Sequence, residues 1–332
     1  MATYIPSPAR YNTMTYNRVG KSGLKLPAVS LGLWHNFGSV DNYDNMVAMC
    51  RTAFDLGITH FDLANNYGPV YGSAETNFGK ILRDTFGGLR DELIISTKAG
   101  YDMWPGPYGD FGSRKYLIAS LDQSLKRLGL EYVDIFYHHR MDPETPLEET
   151  MLALDQIVRS GKALYVGISN YDGATLARAT AILQELHTPF IINQNRYSIF
   201  DRTIEKNGLK ATARTLGKGI IAFSPLAQGL LTDRYLNGLP EDSRAVKSGK
   251  FLKPNDITDS VLQKVNALNQ IAKEHGCSLS QLALKWVLKD SDLTSVLIGA
   301  SRPSQIIDNA GIVGIAPLSE EELSEIERVV GA

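Results

Sequence analysis

Four residues of complementary acid–base character stand at or just past the ends of short apolar segments. Asp62 closes THFD, Tyr67 follows in LANNYG, Lys98 ends LIISTK and His139 ends VDIFYHH. They are far apart in the chain, yet parallel strands that share an end would gather them at one rim. A carboxylate, a phenol, an ammonium and an imidazole brought together could pass a proton to a carbonyl oxygen while hydride arrives from a bound cofactor. Tyrosine alone is a poor acid near neutrality, because its unperturbed pKa is about 10. A neighbouring ammonium favours the phenolate, so Lys98 is expected to lower the Tyr67 pKa, with Asp62 holding Lys98 charged and oriented. His139 would hydrogen-bond the substrate oxygen and fix its position. Singly, each has a plainer reading: a surface tyrosine, a capping aspartate, a solvated lysine. Their joint placement after successive strand segments is what argues for a site.

Something must position these residues, and the chain supplies a regular alternation. Strand-like runs occur at VSLGL (29–33), THFDL (59–63), LIISTK (93–98), VDIFYH (133–138), ALYVGIS (163–169), FIINQN (190–195), GIIAFS (219–224) and SVLIGA (295–300). They are short and nearly continuously apolar, as parallel strands covered by helices are. Amphipathic helical patterns lie between them. NMVAMCRTAFDLG stops at Gly57, and SRKYLIASLDQSLKRLGL runs from a Ser113 cap to Gly129. TPLEETMLALDQIVRSG opens on Thr145, Pro146 and Glu148 and ends at Gly161. SLSQLALKWVLKD and LSEEELSEIERVV are further helices.

This alternation predicts an α/β fold, a (β/α)8 TIM barrel forming a single domain over residues 1–332. A Rossmann sheet would need a glycine-rich turn after its first strand, and LGLWHNFG contains no G-x-G-x-x-G. Residues 15–28 predict an N-terminal β-hairpin that turns at Lys21–Gly23 and closes the bottom of the barrel. The long loop after strand 7, residues 225–258, would lie on the C-terminal face where barrel enzymes keep their sites. A connection of that length is functional or mobile.

Composition narrows the partners. Of 332 residues, 43% are hydrophobic and 21% charged, ordinary for a soluble chain with a large core. The formal net charge is -2 and basic residues are scattered, apart from Arg244, Lys247, Lys250 and Lys253, so no nucleic-acid partner is expected. Cys50 and Cys277 fall in helix-like segments and read as buried small apolar residues. No clustered ligands suggest a metal. The N-terminus has no apolar signal region, and no run approaches the ~20 residues that cross a bilayer. A cytoplasmic setting without membrane attachment is expected.

GITHFDLANNYG resembles the opening Asp-x-Ala-x-x-Tyr-Gly block of the aldo-keto reductases, with Glu75 in its expected place. ISTK carries that family's lysine, and LGLEYVDIFYHHRMDPETPLEET is similar to its histidine block. GKALYVGISN, INQNRYSIF, FSPLAQGLL and SVLIGASRPSQIIDN resemble its cofactor-binding segments. LGLWHNFG, FDLANNYGP, STKAGYDMWPGPYG and SPLAQGLLT are most similar to the bacterial glyceraldehyde 3-phosphate and methylglyoxal reductases, relatives of the potassium channel β-subunits.

The resemblance implies NADPH extended across the mouth of the barrel and no metal. It makes Tyr67 the proton donor, with Lys98 and Asp62 as its tuning pair. Alignment on Arg140 puts His139 in the catalytic position and leaves His138 as a partly buried strand residue. The channel β-subunits carry Asn where His139 stands, so the histidine argues for a working enzyme. By the same resemblance Trp34, Ser169, Asn170 and Gln194 serve the nicotinamide end, and Phe223 stacks on its ring. Ser224, Pro225, Leu226 and Gly229 serve the pyrophosphate, and Arg234, Ser243 and Arg244 fold over it. Gly299, Ser301, Gln305 and Asn309 hold the adenosine end, with Ser301 at a helix N-terminus suited to phosphate. Arg302 is either a 2′-phosphate ligand or an exposed helix-start arginine.

Trp34 after strand one and Tyr101 and Trp104 after strand three are candidates for the substrate pocket, the last two in the loop GYDMWPGPYGDFG, which either walls the pocket or merely caps the barrel. Arg140 and the loop lysines could attract a phosphorylated aldehyde. The expected activity is NADPH-dependent reduction of small aldehydes or ketones, methylglyoxal and glyceraldehyde 3-phosphate foremost, by a homo-oligomer (tetramer or octamer). The alternatives are a cofactor-binding regulatory or redox-sensing subunit, and a phosphate-binding barrel isomerase or lyase without nicotinamide.

Overall fold

The structure, a computed structural model, describes residues 4–236, 255 and 257–331. Two short antiparallel strands come first, Tyr16–Arg18 (β1) and Lys25–Pro27 (β2). Eight parallel strands follow: Val29–Gly32 (β3), His60–Asp62 (β4), Ile94–Ala99 (β5), Val133–His138 (β6), Ala163–Ser169 (β7), Phe190–Arg196 (β8), Gly219–Phe223 (β9) and Leu293–Ile298 (β10). They pair in chain order, and β10 closes onto β3, making the expected (β/α)8 barrel.

The helices of the described residues are Tyr43–Asp55 (α1), Ser73–Thr85 (α2), Arg114–Leu128 (α3), Leu147–Arg159 (α4), Gly173–Glu185 (α5), Thr203–Lys206 (α6), Leu209–Leu216 (α7), Asp259–Glu274 (α8), Leu279–Val287 (α9), Pro303–Ala310 (α10) and Glu320–Val330 (α11). Their ends follow local chemistry. Ser113 Oγ accepts from the Tyr116 N–H, and Gly129 ends α3 at φ +67. Ser278 with Gln281 and Ser319 with Glu322 form capping boxes, which satisfy N–H groups that a helix start leaves orphaned. Cys50 is buried in α1, but Cys277 departs from expectation: it lies in the turn between α8 and α9, just after Gly276, which adopts φ +77.

The hairpin closes the bottom of the barrel. The Lys21 N–H donates to Gly217 O at 2.9 Å and Asn17 Nδ2 to Thr294 O at 2.9 Å, beside the starts of β9 and β10. Val19 and Leu26 enter the barrel among Ile135, Ile192, Ile221 and Leu297. Burying such a side chain contributes about 1.5–3 kcal/mol, so this apolar cluster stabilises the closed lower end. Polar side chains share this interior: Ser96 is in register with Ile135 and Ser295 with Ile221, while Lys98 stands one layer higher in register with Tyr137.

Of the span 225–258, the described part includes two short turns, Ala227–Gly229 and Asp233–Tyr235. Ser243, Arg244, Lys247, Lys250 and Lys253 lie outside the described residues. No helix among the described residues is long and apolar enough to cross a membrane.

Candidate active site

Side chains alternate across a strand, so residues two apart share a face. In β4, His60 and Asp62 face the barrel interior while Phe61 packs outwards on Phe78 of α2. In β5, Ser96 and Lys98 face inwards, and Thr97 points out to donate to Glu75 of α2 at 2.5 Å. Glu75 is wholly buried and also accepts from Arg127 at 2.6 Å, which ties α2 to α3 behind the site.

Lys98 Nζ sits 2.5 Å from Asp62 Oδ2, 2.6 Å from Leu63 O and 3.2 Å from the Tyr67 hydroxyl. The other Asp62 oxygen accepts from Ser96 Oγ at 2.6 Å and from Gln194 Nε2 at 3.1 Å. Tyr67 reaches in from the loop after β4. Its ring stacks on Trp34 at 6.0 Å and meets the edge of His139 at 6.0 Å. It keeps 9% of its surface exposed, so it stands at the mouth rather than at the closed lower end.

Burial and the Asp62 charge push the Tyr67 pKa well above 10, so the phenol keeps its proton in the resting site. This reverses the expected lowering by Lys98. The ammonium is compensated by a carboxylate 2.5 Å away, and a buried phenolate is costly. Burial lowers the Lys98 pKa, against the pull of Asp62. Burial and then Lys98 hold His139 well below 6.5, which keeps its imidazole neutral.

His139 is held from several sides. Its carbonyl accepts from Asn170 Nδ2 at 2.9 Å, and its ring meets Tyr101 edge-on at 4.7 Å. A Cβ on Gly100 would come within 2.9 Å of the His139 Cβ, so only glycine allows this approach. His138, one residue earlier, faces the outer layer. Its Nδ1 bonds the Tyr171 hydroxyl at 2.7 Å, and it is fully rather than partly buried, with its pKa lowered by burial to about 4.

Trp34 and Tyr101 therefore border Tyr67 and His139 directly, whereas Trp104 stands one layer back. It packs on Tyr116 at 5.1 Å, and the Tyr116 hydroxyl donates to Tyr101 O at 2.5 Å. Arg140 does not present an open charge to substrate. Its Nε donates to Gly100 O at 2.7 Å, its terminal nitrogen bonds both Asp110 oxygens at 2.7 and 2.8 Å, and its guanidinium lies between Tyr101 and Phe111. It braces the loop instead.

Apart from Trp34, which stacks on Tyr67, the cofactor candidates among the described residues fall on the other half of the rim. Ser169 and Asn170 end β7, Gln194 lies in β8, and Phe223, Ser224, Pro225, Leu226 and Gly229 follow along and after β9. Gly299, Ser301, Gln305 and Asn309 come after β10. These four strands are consecutive neighbours, so the candidates form one continuous track of polar groups and backbone turns, which suits an extended dinucleotide. Ser224, Ala227, Gln228 and Gly229 all have positive φ (53, 48, 60 and 97), which folds the backbone tightly beside Phe223. Arg234 lies in the short turn that follows. Ser301 precedes the helix N-cap, which is the exposed Arg302, and its N–H and Oγ both donate to Gln305 Oε1, at 2.8 and 3.1 Å. A cleft of about 430 Å³ at the opposite end of the barrel, lined by Thr188, Phe190 and Lys218 among others, holds none of these residues. Among the described residues, no three His, Cys, Asp or Glu side chains group to hold a metal ion.

Reading residues at strand ends missed His60 and Ser96. The signal was present: each stands two positions before a candidate, Asp62 or Lys98, and so on the same face.

An eight-stranded barrel with this buried Asp–Lys–Tyr group and an adjacent histidine defines an oxidoreductase: the chain belongs to the aldo/keto reductase family, whose model matches residues 28–330. It is 56% identical over 328 residues to the L-glyceraldehyde 3-phosphate reductase of Escherichia coli K12, covering 98% of this chain and 95% of that one. It is 36% identical to a probable voltage-gated potassium channel subunit beta of Oryza sativa subsp. japonica, over 96% of this chain and 97% of the relative. Among solved structures, a thermostable aldo-keto reductase bound to the inhibitor epalrestat matches with a TM-score of 0.75 and 31% identity, covering 95% of this chain and all of that one.

Proposed function

We propose that the protein reduces small aldehydes to alcohols using NADPH, with Tyr67 as the proton donor. The observation that carries this is the Tyr67 hydroxyl 3.2 Å from Lys98 Nζ, beside a neutral His139, at the mouth of the barrel. When bound, the reduced nicotinamide supplies hydride to the carbonyl carbon. As charge develops on the carbonyl oxygen, Tyr67 gives up its proton there, and Lys98 stabilises the phenolate left behind. His139 donates a hydrogen bond to the same oxygen and orients it. Solvent then returns a proton to Tyr67. Trp34 and Tyr101 wall the pocket and keep bulk water from the reacting atoms.

Similarity to the E. coli reductase favours glyceraldehyde 3-phosphate as substrate, with methylglyoxal as a second small aldehyde. Ser169, Asn170 and Gln194 are proposed for the nicotinamide with Phe223 stacked on its ring, Ser224, Pro225, Leu226 and Gly229 for the pyrophosphate with Arg234 folding over it, and Gly299, Ser301, Gln305 and Asn309 for the adenosine end. A homo-oligomer working in the cytoplasm completes the reading.

The test is the initial rate of NADPH oxidation with each aldehyde, wild type beside Tyr67→Phe. Turnover that collapses in the variant, with NADPH affinity kept, supports the reading. Equal turnover in both removes Tyr67 as donor.

A further inference from the structure

A chain of hydrogen bonds runs through the barrel interior beneath Asp62. Ser295 Oγ lies 2.7 Å from Ser30 Oγ, which lies 2.9 Å from His60 Nδ1. His60 Nε2 lies 2.9 Å from Ser96 Oγ, and Ser96 Oγ is 2.6 Å from Asp62 Oδ1. All five side chains are wholly buried.

The direction of the chain follows from its end. An Asp62 carboxylate paired with Lys98 only accepts, so Ser96 must spend its single proton there. Ser96 can then only accept from His60, which places the histidine proton on Nε2. Nδ1 is left as an acceptor, so Ser30 donates to it and takes the Ser295 proton in turn. Burial lowers the His60 pKa to about 4, so near neutral pH this single tautomer persists.

We infer that His60 is a positioning residue for the reductive site: it orients the Ser96 hydroxyl, and through it the Asp62 carboxylate that holds Lys98. An aspartate carboxylate turns about a soft terminal torsion, so its orientation depends on bonds to both oxygens. Lys98 occupies Oδ2, while Ser96 and Gln194 hold Oδ1. Without the His60 N–H, the Ser96 hydroxyl is free to rotate towards other acceptors, and Lys98 loses its fixed distance to Tyr67. The inference rests on Tyr67 being the proton donor.

Three variants test it: His60→Leu, which fills the space without an N–H; His60→Gln, whose amide N–H replaces the Nε2 donor; and Ser96→Ala. With methylglyoxal and NADPH, His60→Leu and Ser96→Ala should each lower kcat on the order of tenfold, the loss of one hydrogen bond. KM and NADPH affinity, read by fluorescence titration, should stay within about twofold. His60→Gln should recover most of the rate. Wild-type kcat in His60→Leu overturns the inference, as does a rate loss that tracks thermal destabilisation and is not rescued by glutamine. If His60→Leu does not fold, Ser96→Ala decides: wild-type kcat there overturns it equally. Tyr67→Phe is measured alongside. Retained turnover in that variant defeats the donor assignment itself, a failure distinct from a silent His60→Leu beside an inactive Tyr67→Phe.

Discussion

Lys98 and Asp62 form their ion pair, at 2.5 Å, with both side chains wholly buried. Taking two charges out of water is costly, and mutual attraction offsets that cost only while both partners remain. Either Lys98→Met or Asp62→Leu should lower the unfolding free energy by about 3–5 kcal/mol, and the double variant should lose less than the sum. Urea unfolding of the four proteins checks this. Strict additivity would mean that the pair is not coupled.

Acid should weaken the fold through its buried histidines. His60 and His138 are each lowered by burial to about 4, against an ordinary value of 6.5. On acidification the unfolded chain takes up these protons first. The contribution is therefore complete above pH 6.5 and is lost as pH falls from 6.5 towards 4. Each histidine adds at most about 1.4 kcal/mol per pH unit in that window. Unfolding free energies of wild type and His138→Gln at pH 7, 6 and 5 should diverge, the variant showing the shallower slope. Parallel slopes would contradict the assignment.

Gly100→Ala should damage catalysis more than folding. The added Cβ would lie 2.9 Å from the His139 Cβ and 3.0 Å from its backbone nitrogen, so His139 must move. Misplacement by about 1 Å can cost on the order of 100-fold in rate. Steady-state kinetics beside a thermal melt checks this, and an unchanged kcat would show that the site absorbs the shift.

Arg140→Lys separates a brace from a phosphate ligand. The lysine loses the two-oxygen grip on Asp110 and the stacking between Tyr101 and Phe111. KM should rise about tenfold for methylglyoxal and glyceraldehyde 3-phosphate alike, because Tyr101 loses its support against His139. A rise confined to the phosphorylated substrate would instead return Arg140 to phosphate binding.

Barrel and catalytic group were legible to different depths. The eight strands were readable because parallel strands buried on both faces are nearly continuous apolar runs, and β3 to β10 fall where those runs lie. His60 and Ser96 escaped notice although spacing puts each on the face of Asp62 or Lys98, because spacing within a strand does not show which side chains of other strands they meet. Ser30, His60, Ser96 and Ser295 are neighbours only because β10, β3, β4 and β5 lie side by side. The direction of the Tyr67 pKa shift was misjudged for a related reason: residue types reveal the Lys98 and Asp62 charges, but not the burial of Tyr67 that is the largest cause of its raised pKa.

By itself the sequence determined the element order, the period-2 faces of the strands and the residue types available at their ends, since these follow from local sterics and hydrophobic pattern. Only the tertiary structure decided that Arg140 is engaged by Asp110, that Trp104 packs on Tyr116, and that His138 bonds Tyr171. Each of these depends on distances between segments far apart in the chain. Closure of the barrel sets those distances, and no local propensity encodes them.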